Sequence, residues 1–386
     1  MSLRSFLTST SALILLAACS PQTSENAAAP AAVEAAAAEQ TETEQTETEL
    51  LNAWFDEQFE AELAFSPESK TYLGRLDDLE AYGQWDDPSD EAFRAGLQRE
   101  ADRLRYMQEN FDYDALTADA QVSWRFSEFI AANEAQQGEF RDHGYIFTQY
   151  FGPHTDLPSL LIGYHNIENL DQAEAYLSRL SSLGDVIDVY TGQADDQAQA
   201  GILAPAFAYP IVIEAAQRFI TGAPFDDSGE DSPLLADFRG KVEALEIDDD
   251  AKAALIARAA TALTDNVAPA YRHLIEVMQR HSEMTGGRND GAWALPDGEE
   301  FYRSQLTNYT TRTDLTAADI HQTGLDEVAR IHGEMQAIVD QVGFEGTLQE
   351  FFTFLRTDPQ FYYPDTDEGR AAYLADATAI IDRVME

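Results

Sequence analysis

Apolar residues recur at helical spacing along most of the chain after residue 49. At the start of this region Leu51, Trp54, Phe55, Phe59 and Leu63 fall on one face of a helix. The alternation of apolar and polar positions that is typical of strands does not persist beyond a few residues. Further helices are predicted over residues 87–106, 117–130, 169–180, 182–200, 211–219 and 249–284, the last kinked at Pro269. The sequence therefore predicts an all-α fold, a multi-helix array.

The region from Trp293 to Phe344 contains the clearest turn and helix-end signals in the chain. Leu295–Gly298 has the sequence of a type I turn, with Pro, Asp and Gly at its second, third and fourth positions. A helix over Glu299–Leu306 is predicted to follow. We expect it not to continue through residues 308–311, because β-branched threonines and local side-chain hydrogen bonds disfavour its continuation there.

A long helix is predicted next, between Thr316 and Gly343. Thr316 and Asp319 form the pattern of a capping box, and Gly343 is placed to end the helix. Apolar residues fall along one face of this helix, at positions 320, 328, 331, 335, 338 and 342. We expect that face to be buried.

Several strings in this region together resemble one known family. They are Leu295-Pro296-Asp297-Gly298 with Tyr302, Thr310-Thr311, the run from Ile320 to Ile331, and Gly343-Phe344-Glu345-Gly346-Thr347. These strings are similar to the central region of the domain-of-unknown-function 885 family, whose members are bacterial secreted proteins and lipoproteins. An upstream run from Leu157 through His165, Asp171, Tyr176, Arg179 and Gly201 to Pro205 is also similar to that family. The resemblance covers most of the chain after residue 50.

The resemblance implies a helical, zinc-metallopeptidase-like hydrolase that acts on peptides. In that family a HExxPGHH-type helix and a later Glu bind the zinc, and both would lie beyond residue 386. This implies that the chain is the amino-terminal part of a larger fold, truncated before the zinc-binding half and inactive alone. No cofactor is expected within these residues, and zinc is expected only if the missing half is present.

The end of the sequence supports the same expectation. Tyr373, Ala377, Ile380 and Val384 form an apolar stripe that is still continuing at Met385. We therefore expect this chain to expose an apolar face that needs a partner surface.

The amino-terminal residues have the pattern of a bacterial lipoprotein. Arg4 precedes a short apolar run, and Leu16-Ala17-Ala18-Cys19 resembles the lipobox, in which the Cys becomes the lipidated first residue. The alternative is an ordinary cleaved signal with an incidental Cys. Because Ser20 is not an aspartate, the sorting pattern of such lipoproteins indicates the outer membrane, with the body facing the periplasm. The predicted organisation is a signal peptide over residues 1–19, a disordered Ala/Glu/Thr tether over 20–48 and a helical body over 49–386.

The strongly negative net charge of the chain excludes one class of binding partner. The chain carries 24 Lys plus Arg against 70 Asp plus Glu, a net charge of −46. A field of this sign repels nucleic acid, so we expect no nucleic-acid partner. The expected partners are instead the membrane, through the lipid on Cys19, and a peptide substrate. Cys19 is the only cysteine, which excludes an intramolecular disulfide.

The seven histidines do not form a local zinc motif. None has a second histidine four residues away, as the commonest zinc helix requires. His321 and His332 share a helix face but lie about 16 Å apart along its axis. No metal ligand or catalytic residue is therefore predicted within this chain, although a site assembled from different helices stays open.

Five residues are candidates for contact with a substrate: Tyr302, Thr310, Thr311, His321 and Arg330. A phenol, hydroxyls and an imidazole can orient a peptide or stabilise an oxyanion opposite a metal supplied by another segment. The alternative is that Tyr302 and His321 are core residues with locally satisfied polar tips.

An aromatic segment from Tyr145 to Phe151 either lines a cleft or covers the core. With it, the sequence leaves two functions open. The chain is the amino-terminal part of a metallopeptidase-like hydrolase, or it is a non-catalytic periplasmic binding or scaffolding lipoprotein that uses this segment.

Overall fold

A computed structural model of the protein describes residues 45–75 and 78–385. Its described part is built from α-helices joined by turns, which confirms the predicted all-α array. The helices are α1 Glu47–Leu63, α2 Pro67–Tyr72, α3 Leu79–Tyr82, α4 Asp90–Asn110, α5 Ala118–Glu139, α6 Pro153–Gly163, α7 Leu170–Gln199, α8 Ala208–Phe219, α9 Pro233–Glu243, α10 Asp249–Ala262, α11 Ala268–Met284, α12 Gly298–Thr310, α13 Ala317–Gln341, α14 Leu348–Thr357 and α15 Asp367–Met385. The predicted signal peptide and residues 20–44 of the predicted tether lie outside the described residues. None of the helices within residues 45–75 and 78–385 has the length and apolar character that crossing a membrane requires.

The described residues form two compact units, with the boundary along the chain between Gln305 and Leu306. The first unit is organised around α7, which buries Leu180, Leu183 and Ile187 in the main core. Helix α11 packs against both α7 and α8, and α6 and α10 also contact α7. A second, smaller core is formed by α1, α4 and α5, around Leu51, Met107 and Trp124.

Helix α7 is longer than the sequence pattern predicted. The prediction of two helices over 169–180 and 182–200 is wrong, because α7 continues without a break for 30 residues. The hydroxyls of Ser181 and Ser182 donate back to the carbonyls of Leu177 and Ser178 within the same helix. These serines therefore satisfy their hydrogen bonds without ending the helix.

The predicted helix over residues 249–284 is interrupted shortly before Pro269, the position of the predicted kink. A π-helical turn over Leu263–Val267 separates α10 from α11, and Pro269 lies in the first turn of α11. Gly184 of α7 lies against the π-helical turn, and its amide donates to Oδ1 of Asn266 at 2.6 Å. A Cβ at Gly184 would collide with the backbone oxygen of Asn266, so this close approach requires glycine.

The turn before α12 has a different geometry from the predicted one. The amide of Gly298 donates to the Leu295 carbonyl at 3.0 Å, which confirms a four-residue turn. The φ of Asp297 is 49°, however, and a positive φ at the third position belongs to type II rather than type I. The predicted type I geometry is therefore wrong.

Helix α12 also ends later than predicted. It continues to Thr310, whose Oγ1 donates to the carbonyl of Leu306 at 2.7 Å. The threonine hydroxyl bonds within the helix instead of ending it. Thr311, with a φ of 58°, takes the left-handed conformation that ends it.

The second unit contains the end of α12 and helices α13, α14 and α15. The predicted capping box is confirmed: Oγ1 of Thr316 accepts from the amide of Asp319 at 3.2 Å, and the carboxylate of Asp319 accepts from the amide of Thr316 at 3.0 Å. At the other end Gly343 has a φ of 69°, and the amide of Phe344 donates to the Val339 carbonyl, which closes α13 as predicted.

The predicted burial of the apolar face of α13 is wrong. Val328 and Ile338 on that face are 52% and 54% exposed, and Val339 is the buried residue of the helix. Helix α14, which packs against α13, has ten residues and covers only part of a 25-residue helix. The stripe on α15 is also exposed, with Val384 at 79%, which confirms the expected apolar face at this end of the chain.

Candidate functional site

A cavity of about 580 Å³ lies within the first unit. Its aromatic wall residues include Tyr72, Phe93, Phe140, Tyr145, Phe151 and Phe301. Its carboxyl-bearing wall residues are Glu62, Glu68, Asp90, Glu134, Asp142, Asp156 and Asp196. Arg103 and Arg141 are the basic residues among the described residues that line it. The volume and the mixture of aromatic and polar walls are typical of a ligand site.

One group of carboxyls in the wall surrounds the start of α2. Ser66 caps this helix, and Glu68 follows it in the first turn. The amide of Glu68 donates to Asp86 at 2.9 Å, and the amide of Asp86 donates back to Oε1 of Glu68 at 3.2 Å. Burial, with the negative charges of Asp86 and Asp156, raises the pKa of Glu68 to about 8. Glu68 is therefore largely protonated at neutral pH.

Asp156 joins this group from the first turn of α6. Gly152 precedes that helix with a φ of 154°, and its amide donates to Oδ2 of Asp156 at 3.2 Å. A Cβ at Gly152 would meet the carbonyl oxygen of Ile146, so glycine is required where the chain enters α6. Burial raises the pKa of Asp156.

A buried arginine lies behind these carboxyls. Arg179 of α7 is fully buried and donates to the carbonyl oxygens of Gln84, at 2.7 Å, and Pro67, at 3.1 Å. Burial lowers its pKa to about 10, so it remains a cation at neutral pH and offsets part of the negative charge of Asp86. Arg179 is part of the upstream run, from Leu157 to Pro205, that is similar to the family. These buried hydrogen bonds give it a structural role.

A second group of charges lines the cavity from α1, α4 and α5. Glu62 accepts from Arg103 at 2.6 Å and from Arg99 at 3.0 Å, and Arg103 also pairs with Glu100. Glu134 lies in the same group. Burial, together with the negative charges of Glu100 and Glu62, raises its pKa to about 7 despite the positive charge of Arg103.

A third group shows how the wall holds a guanidinium. Arg141 lies over the ring of Phe93, at 4.2 Å from its centroid, and also pairs with the carboxylate of Asp90. An aromatic face and a carboxylate therefore bind one cation between them at the edge of the cavity.

Both interpretations of the aromatic segment apply, each to different residues. Tyr145 and Phe151 line the cavity, whereas Phe147 is buried in the main core. Tyr150 is 82% exposed. The side-chain amide of Gln197 on α7 donates to the carbonyl of Gly144 at 3.1 Å and fixes the start of the segment.

The five candidate residues from the sequence do not line this cavity. Tyr302 belongs to the first unit and is half exposed, whereas Thr310, Thr311, His321 and Arg330 belong to the second. Thr311 bonds to its neighbour, and Arg330 pairs with Glu327 and Glu334 of its own helix. Their role towards a substrate stays a prediction.

Two histidines of the first unit have clear structural partners. His165 is buried and lies between Arg179 and the carbonyl of Gln172, and burial lowers its pKa to about 3. His281 contacts Asp195 at 2.8 Å and lowers the pKa of that carboxyl to about 2, with a further contribution from Arg280.

The described residues do not fit a zinc site of the kind that the resemblance implies. Over 45–75 and 78–385, no group of three or more His, Cys, Asp or Glu side chains has an arrangement that could hold a metal ion. Cys19, the predicted lipidation site, lies outside the described residues. Zinc chemistry therefore cannot be derived from the side chains that the structure describes.

Comparisons with known proteins identify the family and support the fold. Residues 67–386 match the family model described as "Bacterial protein of unknown function (DUF885)", so the chain belongs to that family. No curated protein matches the sequence. Among solved structures, "the putative lipoprotein from Colwellia psychrerythraea" is similar, with a TM-score of 0.67 and 21% identity. The match covers 83% of this chain and 58% of the Colwellia chain, so this chain spans less than two thirds of that protein's length.

Proposed function

We propose that this member of the DUF885 family is the substrate-binding, amino-terminal part of a lipid-anchored, zinc-metallopeptidase-like hydrolase of peptides. The observation that carries the proposal is the cavity of about 580 Å³, which combines aromatic walls with ionisable side chains. Aromatic walls hold the side chains of a peptide, and a few polar groups orient it. The first unit supplies all of these wall residues.

The metal and the general base would come from outside the described residues. Family membership and the 58% coverage of the Colwellia chain support a further segment, and the described side chains do not form a metal-binding group. Tyr302, Thr310, Thr311, His321 and Arg330 are proposed to face the substrate when that segment is present. The chain alone would then bind peptides without cleaving them.

The proposed location is the periplasmic face of the outer membrane. The lipobox-like sequence that ends at Cys19 supports a lipid anchor, and the structurally similar Colwellia protein is itself described as a lipoprotein. A tether of polar and alanine residues after Cys19 would let the helical body reach its substrates from the membrane surface.

The proposal is tested by calorimetric titration of the purified protein with short peptides that contain phenylalanine. We expect saturable binding at one site, weakened by Leu97→Trp, because the larger side chain would occupy part of the cavity that Leu97 lines. Leu50→Trp, at an exposed position, is the matched control. Restoring the downstream coding sequence should add peptidase activity and bound zinc.

A second candidate function is a binding or scaffolding lipoprotein without catalysis. It is favoured by the observation that the described residues that line the cavity all belong to the first unit. Peptide binding that persists, with no peptidase activity after the downstream sequence is restored, would select this function. Peptides that do not bind at all would overturn both.

A further inference from the structure

We infer that the cavity selects positively charged peptides, and that it takes a lysine or arginine side chain or a free amino terminus between its aromatic and carboxyl walls. This inference rests on the proposed function, because it specifies the class of peptide that the same cavity binds.

The charge of the described walls is unbalanced. Seven carboxyl-bearing residues line the cavity, against two arginines. Both arginines are already paired, Arg103 with Glu62 and Glu100, and Arg141 with Asp90. Even with Arg99 counted, the second group, from α1, α4 and α5, has three carboxyls, Glu62, Glu100 and Glu134, against the two guanidinium groups of Arg99 and Arg103. An incoming anion would meet net repulsion, whereas a cation would offset it.

Two contacts in the first unit show that this chemistry holds organic cations. Arg141 stacks on Phe93 while it pairs with Asp90. Arg99 stacks on Phe65, at 3.9 Å from the ring centroid, while it pairs with Glu62 at 3.0 Å. The first unit thus binds guanidinium groups with an aromatic face and a carboxylate, once in the cavity wall at Arg141 and once beside it at Arg99, and the cavity offers further rings and carboxylates.

The arrangement favours an organic cation over a metal ion. Over the described residues, three or more acidic or imidazole groups do not converge as metal coordination requires. Glu68 and Glu134 belong to different groups, one near Asp86 and one near Glu100, and aromatic rings also line the cavity. An extended ligand with an ammonium or guanidinium group can contact such separated carboxyls, and its apolar part can pack on the rings.

The test is a titration of the purified protein with four peptides that differ in charge. Three are acetylated and amidated tripeptides with phenylalanine at both ends and lysine, norleucine or glutamate in the middle. The fourth is the norleucine peptide with a free amino terminus. We expect the lysine peptide to bind about tenfold more tightly than the acetylated norleucine peptide. The free amino terminus should recover part of this gain, and the glutamate peptide should bind most weakly.

Variants distinguish a lysine preference caused by the cavity carboxyls from one caused by the overall negative charge of the protein. Glu134→Gln and Asp156→Asn, at two carboxyls of the cavity wall, should each reduce the preference for lysine over norleucine several-fold, whereas Glu57→Gln, an exposed change of the same charge, should leave it unchanged. Raising the salt concentration should narrow the lysine preference in the unaltered protein, a measurement that needs no variant.

Equal affinity for the lysine, norleucine and glutamate peptides would overturn the charge preference and leave the proposed peptide binding intact. An equal loss in Glu57→Gln and in the cavity variants would also overturn it, because the effect would then belong to the surface as a whole. Absence of binding by every peptide would overturn the inference together with the proposed function.

Discussion

Nη1 of Arg179 lies 3.3 Å from Nδ1 of His165, inside the first unit and away from solvent. Nε2 of the same imidazole lies 3.2 Å from the carbonyl oxygen of Gln172. An arginine only donates and a carbonyl only accepts, so the ring must accept at Nδ1 and donate at Nε2. Burial and the charge of Arg179 keep the pKa of His165 at about 3, which is consistent with this neutral form.

Replacing this arginine should be strongly destabilising. In Arg179→Met the carbonyls of Gln84 and Pro67 lose their buried donor, and the carboxyls of Glu68 and Asp86 lose a nearby cation. We expect the free energy of unfolding to fall by about 3–5 kcal/mol, measured by urea denaturation.

The matched control is Arg258→Met, which breaks an exposed pair between Arg258 and Glu174. An exposed ion pair contributes about 0–1 kcal/mol, so the loss should be small. Similar losses in the two variants would contradict the structural role of Arg179.

Two glycines of α7 offer a test of the contact with the π-helical turn. Gly184→Ala should lower the free energy of unfolding by about 1–3 kcal/mol, because its Cβ would collide with the Asn266 backbone. Gly192→Ala lies in the same helix with open space around it, and should raise stability by about 0.5–1 kcal/mol. Thermal and urea denaturation measure both changes, and a stabilised Gly184→Ala protein would show that the contact is not tight.

Local signals in the sequence predicted the elements that depend on neighbouring residues. The capping box at Thr316 and the glycine end at Gly343 are formed within a few residues, so the pattern of residue types was sufficient. The conformation of Asp297 was not predictable in this way, because an Asp at the third position favours a type I turn, and its residue type does not show that it takes the left-handed conformation that it can tolerate.

The cavity could not be located from the sequence. Glu68, Glu134 and Asp156 are three of 70 acidic residues, and what distinguishes them is burial beside other carboxyls that are distant in the chain. The aromatic segment from Tyr145 to Phe151 was the one useful signal, since three of its residues, Tyr145, Ile146 and Phe151, lie in the wall. The burial of α13 was predicted wrongly because an apolar stripe shows that a helix has a face to cover, but not which segment covers it.

The exposed stripe on α15 should make the protein self-associate. Val384 of the stripe and Ile381, which flanks it on the same helix, are largely exposed, and contiguous apolar surface of this kind favours association. We expect sedimentation velocity to show concentration-dependent oligomers that the double variant Ile381→Gln with Val384→Gln weakens several-fold. The control is Ala375→Gln with Ala379→Gln, at exposed positions of the same helix. A wild-type protein that stays monomeric at every concentration would contradict this prediction.

The predicted anchor can be tested independently of the fold. Cys19→Ala removes the only thiol in the chain, so the protein should no longer be lipidated and should leave the membrane fraction of the producing cells. Ser24→Ala, a few residues later, should leave membrane association unchanged. An unaltered distribution of the Cys19→Ala protein between membrane and soluble fractions would show that Cys19 is not the anchor.

The last prediction concerns the effect of pH on the carboxyl of Glu68. Its pKa in the folded protein is about 8, raised from 4.5 chiefly by burial and also by Asp86 and Asp156, and Arg179 opposes this only in part. Because the folded pKa lies above the unfolded value, the protonated carboxyl favours the folded state. That contribution is complete below about pH 4.5 and is lost as the pH rises through about 8.

Glu68→Gln should remove this dependence, because an uncharged amide resembles the protonated acid and can still accept the Asp86 amide hydrogen bond. We expect the variant to gain stability relative to the wild type as the pH rises from about 5 to about 9, measured by urea denaturation at each pH. Subtracting the unfolding free energies of the two proteins at each pH cancels the contributions of groups that both contain, including the nearby Tyr72 and Asp156. Glu57→Gln should follow the wild-type curve, since Glu57 is exposed. Curves for Glu68→Gln and wild type that stay parallel over this range would mean that Glu68 ionises normally in the fold, and that the cavity does not hold it as a protonated acid.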